Sequence, residues 1–240
     1  MRKALPTDIP DALETLSRRI VACHRCSRLR RYCARVARER KRQFGSWTYW
    51  GKPVPGFGDP RAELLVVGLA PAAHGSNRTG RMFTGDRSGN LLVATLHRHG
   101  FASIATSEHI DDGLQLRRAY LTAAVRCAPP QNNPTRNEIA NCSEYLAREL
   151  EILDKARVVL TLGRIAFESY LHAITQLDAD LELKGFRFKH GALHNIGETR
   201  HPFLLASYHP SPQNTQTGRL TPEMWDSVFD SVARLIAKNQ

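Results

Sequence analysis

Four short apolar runs, each followed by a stretch of helical spacing, constrain this chain more than any other feature. They are "AELLVVG" (62–68), "AYLTAAV" (119–125), "ARVVLTL" (156–162) and "PFLLAS" (202–207). Each is short for a helix and too continuously apolar for a half-exposed strand, so each reads as a strand buried on both faces. The segments after them, "SGNLLVATLHRHG", "TRNEIANCSEYLARELEIL", "RIAFESYLHAI" and "TPEMWDSVFDSVARLIA", carry apolar residues at helical intervals. The first of these is expected to start at an N-cap near Ser88 and to end at Gly100. The second starts with Thr135 and has Glu138 three residues on, the pattern of a capping box. The last should run from about 222 to 237. Leu13, Leu16, Ile20 and Val21 mark a further helix over about 8–22. Strands alternating with helices make an α/β protein with a parallel sheet covered on both faces. Residues 175–200 read as irregular, with a short strand at "FRFKH" (186–190). No repeat or linker divides residues 1–240, which are expected to form a single domain.

The 34 basic residues outnumber the 23 acidic ones, for a net charge of +11. Such an excess suits a polyanionic partner, nucleic acid before membrane. The first residues, "MRKALPTDIPDALETL", contain no apolar leader. The longest apolar runs are too short to span a bilayer. The expectation is a soluble, monomeric, cytoplasmic protein with no membrane partner, at the nucleoid when it acts.

Five cysteines in a chain with no export signal argue against a disulfide framework. Cys23 and Cys26 are spaced so that two thiolates reach one metal from a single turn. Cys127 follows the second strand and Cys142 lies in the next helix, so both can converge on that pair. Four thiolates suit a tetrahedral zinc or a four-iron cluster, and spacing alone does not choose between them. Pro129 and Pro130 would shield such a group from water. Cys33 is left as the spare.

In parallel sheets the functional loops lie at the carboxyl ends of the strands. Here those loops are "GLAPAAHGSNRTGRMFTGD" (68–86), "RCAPPQNNPT" (126–135), "LGRI" (162–165) and "SYHPSPQNTQTG" (207–218). With the four cysteines, the first, second and last resemble the iron–sulfur uracil-DNA glycosylases, most closely the family 5, or UdgB-type, branch with its GLAPA motif. The resemblance runs from Cys23 to about Thr221. It implies a three-layer α/β/α sandwich around a four-stranded parallel sheet, and a [4Fe–4S] cluster on Cys23, Cys26, Cys127 and Cys142. It also implies a monofunctional DNA glycosylase of base excision repair, which hydrolyses the bond between a damaged base and deoxyribose and leaves an abasic site.

The chemistry of the loops agrees with that implication. A glycosylase must flip its nucleotide out of the stack. Ser211, Gln213 and Asn214 would grip flanking phosphates without filling the gap with charge. His209 would stabilise the charge that builds on the departing base. Phe83 would stack on that base, beside Ala70 in the first motif. Matched by position, Asp86 would orient water or stabilise the cationic sugar, and Asn132 would help hold the water. Asp86 also reads as a helix cap, and Asn132 as a turn residue. The first motif offers only Ala70, Ala72 and Ala73 where other uracil glycosylases place a polar side chain. Ala123 stands where family 4 relatives carry an Asn. Both changes imply a permissive pocket, open to deaminated purines such as hypoxanthine as well as uracil. A redox protein built on the cluster, or a metal-stapled nucleic-acid-binding protein without catalysis, would leave the three polar loops unexplained.

Overall fold

The computed structural model of the protein describes residues 8–197 and 201–237. Residues 1–7, within the segment read as lacking a leader, and the ends of the 1–240 span lie outside the described residues, as do 198–200. Helices α1 (Ile9–Val21) and α2 (Ser27–Glu39) come first, followed by the two-residue strand β1 (Phe57–Gly58). The expected strands are β2 (Leu64–Gly68), β3 (Ala119–Ala123), β4 (Val158–Leu162) and β6 (Phe203–Ser207). Between them lie α3 (Ser76–Thr79), α4 (Arg87–Arg98), α5 (Arg136–Ile152), α6 (Arg164–Thr175) and β5 (Leu193–Asn195). Helices α7 (Pro212–Gln216) and α8 (Pro222–Ala237) close the described chain.

The sheet order is β1-β3-β2-β4-β6-β5. Its four central strands are parallel, and β1 and β5 add antiparallel edges, so the expected four-stranded sheet is the centre of a six-stranded one. Alternation along each strand sorts the side chains into two cores. Leu64, Val66, Leu121, Leu160 and Leu205 pack with α4 and α8, through residues such as Leu92, Leu96, Val228 and Phe229. Leu65, Val67, Tyr120, Val159 and Leu204 pack with α1, α5 and α6, through Leu16, Ile20, Leu146 and Phe167. The result is the three-layer α/β/α sandwich.

Two expectations are corrected. The "FRFKH" segment is not a strand, and the strand in this region is Leu193–Asn195. The aromatics of 186–190 pack against the α1–α5–α6 core from an irregular path: Phe186 stacks on His194, and Phe188 meets Phe167 and Tyr208. Helix α4 starts two residues earlier than Ser88 suggests. Its N-cap is Asp86, whose Oδ1 accepts from the Gly89 amide at 2.9 Å. The Thr135–Glu138 capping box on α5 is present as read.

Candidate active site

The carboxyl ends of the central strands lie in register, Gly68 beside Ala123 and Leu162 beside Ser207. Past the strand ends the pairing continues, because Ala124 and Val125 donate to the carbonyls of Gly68 and Leu69, both at 2.9 Å. The Gly163 amide donates to the Ser207 carbonyl at 2.8 Å. The functional loops therefore leave from one rigid rim.

Phe83 sits on that rim. A methyl group placed on Gly68 would lie 2.6 Å from Phe83 Cζ, so the ring rests on the bare backbone at the end of β2. The main chain of Phe83 presses closer still to Gly89 in the first turn of α4, where a methyl would lie 2.2 Å from the Phe83 carbonyl oxygen. Phe83 itself has φ +51°, a left-handed conformation that costs a non-glycine residue about 1–3 kcal/mol and persists only when its surroundings enforce it. Arg81 supplies much of that enforcement. Its buried guanidinium donates to Thr84 Oγ1 at 2.9 Å, to Ser107 Oγ at 3.2 Å, to the Ile110 carbonyl at 3.1 Å, and to Asp112 Oδ2 at 2.6 Å. The sequence reading missed Arg81. An Arg between Gly80 and an apolar pair was its only signal.

Asp86 is partly buried. Burial pushes its carboxyl above the ordinary range, and the amides of Gly89 and Ser88 oppose that rise. While Oδ1 caps α4, Oδ2 faces the first motif, since a methyl on Gly75 would sit 2.2 Å from it and 3.2 Å from Ala72 Cβ. The two readings of Asp86 are thus compatible: one oxygen serves the helix and the other faces the loop.

His209 lies beside Gly163, at the end of the strand next to β2. Burial lowers its imidazole to about 4, so the ring is neutral at neutral pH and has one N–H to donate. Its own carbonyl is held by Asn214 Nδ2 at 2.8 Å. Ser211 caps α7, accepting from the Asn214 amide at 3.3 Å. Ser211 and Asn214 therefore shape the loop from within, whereas Gln213 is exposed. Beneath the loop, His190 stacks on Tyr208 with centroids 5.0 Å apart and accepts the Tyr208 amide at Nδ1, 3.1 Å away. This support comes from a segment in which the sequence suggested no role.

Asn132 stands apart. It is exposed on the turn Pro130–Asn132, where Gln131 and Asn132 both have φ +55°. Among the described residues no hydrogen bond joins it to Asp86 or His209. Ala70 is half-buried and packs against the cysteine region instead of standing free in a pocket.

Cys33, Cys127 and Cys142 share a small core with Leu29, Val125 and Ala128, and Cys26 packs against it. All five thiols are free. Burial raises Cys142 to about 12 and also raises Cys26, and each of these thiols is influenced by Cys127. Cys23 influences Cys26 and meets Tyr145. Cys33 hydrogen-bonds Cys127 and reaches the Ala128 carbonyl at 3.5 Å. Among the described residues no three His, Cys, Asp or Glu side chains are gathered closely enough to hold a metal ion. The donor chemistry nonetheless suits a thiolate-bound group. Cys26 feels Cys23 and Cys127, Cys142 feels Cys26 and Cys127, and the Arg126 amide donates to Cys142.

With this geometry in place, the relatives can be named. The family model "Uracil DNA glycosylase superfamily" matches residues 55–233. A type-5 uracil-DNA glycosylase of Thermus thermophilus is 49% identical over 222 residues, covering 92% of this chain and 97% of the relative. One from Pyrobaculum aerophilum is 47% identical, covering 90% and 89%. A type-4 uracil-DNA glycosylase of Archaeoglobus fulgidus is 30% identical, covering 78% and 83%. The chain belongs to the uracil DNA glycosylase superfamily, in its type-5 branch. No helix among the described residues is long and apolar enough to cross a membrane.

Proposed function

We propose that this protein is a monofunctional uracil-DNA glycosylase of base excision repair, acting as a monomer and a single domain, at the nucleoid, on uracil and on deaminated purines such as hypoxanthine. The observation that carries this reading is the Phe83 ring seated on Gly68 at the end of β2, with a neutral His209, from the loop after β6, beside Gly163 at the end of the adjacent β4.

In this reading the flipped base stacks on Phe83. The bond between C1′ and the base nitrogen breaks, and its electron pair leaves with the base. The His209 N–H donates to the base oxygen where that charge collects. A cationic sugar remains, and the Asp86 carboxylate stabilises it from the side of the first motif. Water adds at C1′ and loses a proton to solvent, and the departed base anion takes one up, so that the products are the abasic sugar and the neutral base. Asn132 holds that water once the DNA brings the exposed turn to the site. Ala123, where family 4 relatives carry an Asn, leaves the base edge unread, which admits more than one base. Gln213 and backbone amides of the α7 loop contact phosphate, with Ser211 and Asn214 holding that loop in shape.

Cys23, Cys26, Cys127 and Cys142 would hold a [4Fe–4S] cluster. Its contribution is a crosslink that staples the Arg-rich α2 to the β3–α5 connection, bringing basic side chains to the DNA backbone. Iron and acid-labile sulfide should accompany the purified protein, and Cys23→Ser should weaken both fold and DNA affinity.

The test of the activity is single-turnover excision at saturating enzyme on uracil and hypoxanthine oligonucleotides. Asp86→Asn should slow both reactions, because both pass through a cationic sugar. An Asp86→Asn protein as fast as the parent on both would leave Asp86 as a helix cap only.

A further inference from the structure

Arg78, in α3, is 2% exposed, yet among the described residues it makes no ion pair. Its Nε donates to the His74 carbonyl at 2.8 Å and its Nη2 to the Gly85 carbonyl at 2.9 Å. Its guanidinium is clamped by Phe44 and Trp47, whose ring centroids lie 3.9 and 4.0 Å away. Its Nη1 is buried without a hydrogen-bond partner. Burying a cation with no counter-charge in contact is costly. Two carbonyls could be held by a neutral donor, so their satisfaction alone does not account for the charge.

The charge has a use one residue beyond its own hydrogen bond. Gly85, which accepts from Nη2, immediately precedes Asp86, and a methyl on Gly85 would lie 2.4 Å from Nη2. We propose that Arg78 is a positioning residue that pins the Gly85 carbonyl, and with it the adjoining Asp86, while its positive charge favours the carboxylate form of that side chain. The inference rests on the reading of Asp86 as the group that stabilises the cationic sugar, which a protonated carboxyl could not do.

The balance of charges around Asp86 supports it. Burial favours the neutral acid, and Glu108 adds to that push. The amides of Gly89 and Ser88 and the Arg78 charge oppose it. Around Arg78 itself stand Tyr49, Glu108 and Asp86, and His74 feels both Arg78 and Lys41. Arg78 is the cation in this set that acts on Asp86. The aromatic clamp explains how it stays in place: Phe44 and Trp47 attract the cation by their ring faces and shut out water.

The test is the pH dependence of single-turnover uracil excision in Arg78→Met, Arg78→Lys and Asp86→Asn, beside a carbon-13 titration of the Asp86 carboxyl. In Arg78→Met the acid limb should move up by about one pH unit or more, the scale of a nearby charge, with the rate recovering at high pH. Arg78→Lys keeps the charge and should keep the limb near its original position. A loss in Arg78→Met that is equal at every pH would make Arg78 a structural residue and overturn the proposal. If Arg78→Met does not fold, the parent protein decides: an Asp86 carboxyl still protonated at neutral pH overturns it, and an ionised one whose titration is unchanged in Arg78→Lys supports it. Wild-type activity in Asp86→Asn would instead sink the reading of Asp86, independently of Arg78.

Discussion

Arg126 and Glu149 form an ion pair with both side chains 1% exposed, through contacts of 3.0 and 2.5 Å. Thr122 Oγ1 adds a third donor to the carboxylate at 2.5 Å. The pair joins the residue before Cys127 to the helix that carries Cys142. Removing one partner strands a buried charge, so Glu149→Gln should cost about 3–5 kcal/mol. The double variant Arg126→Met with Glu149→Leu should cost less than the single one. Urea midpoints of the three proteins check this, and a single variant as stable as the parent would refute it.

His209 gives a prediction about acid. Its folded value of about 4 lies below its ordinary 6.5, so the unfolded chain binds a proton that the folded chain does not. Stability should therefore fall as pH drops from about 6.5 towards 4. His209→Asn should flatten that part of the stability curve. Thermal melts across this range test it, and parallel curves for the two proteins would contradict it.

The same residue bears on rate. His209→Ala should slow uracil excision by about 2–4 kcal/mol of barrier, the scale of one lost donor to a developing oxyanion. DNA affinity should hold. Hypoxanthine should suffer less, because a purine can leave after protonation on a ring nitrogen. Equal damage to both bases would point instead to misplacement of the whole 209–214 loop.

Gly68→Ala tests the seat of the ring. A methyl 2.6 Å from Phe83 Cζ forces the ring aside. Excision should drop by at least about tenfold, a change of roughly 1.4 kcal/mol, while far-UV circular dichroism stays that of the parent. Full activity would mean that Phe83 does not set the position of the base.

Asn214→Ala should release the His209 carbonyl, worth about 1 kcal/mol of loop order. The rate should fall at saturating enzyme as well as at low enzyme. A change confined to affinity would return Asn214 to the phosphate-gripping role first read from its sequence.

The sequence carried the parallel sheet because its strands are buried on both faces, which leaves an unbroken apolar signature in "LLVV" and "VVLTL". The helix caps at Thr135 and the end at Gly100 were equally plain. Strand β5 was hidden because Leu193 and Asn195 face solvent and only three residues pair. "FRFKH" has the alternation of a strand, but its Phe rings pack against the core from an irregular path. The four cysteines and the His209, Phe83 and Asp86 loops were legible as motifs. What was not legible was their support: Arg78, Arg81 and His190 act through carbonyls, amides and rings supplied by distant segments, and no local pattern announces such partners. Ser211 and Asn214 were read as phosphate contacts; Ser-Pro at 211–212 is also a helix-start signal, and Ser211 caps α7.

The Phe83 ring rests on the bare Gly68 backbone within a buried apolar cluster, and its main chain is pressed against Gly89. Its orientation is therefore fixed when the chain folds. An arriving base need not order it, and the roughly 0.5–1.5 kcal/mol that a loose side chain would lose on binding is not charged to the substrate. Such a platform offers the same π-face to every base. On the proposed reading this surface would hold pyrimidine and purine alike, so discrimination would fall to the base's rim and to the relative ease with which each base leaves its helix.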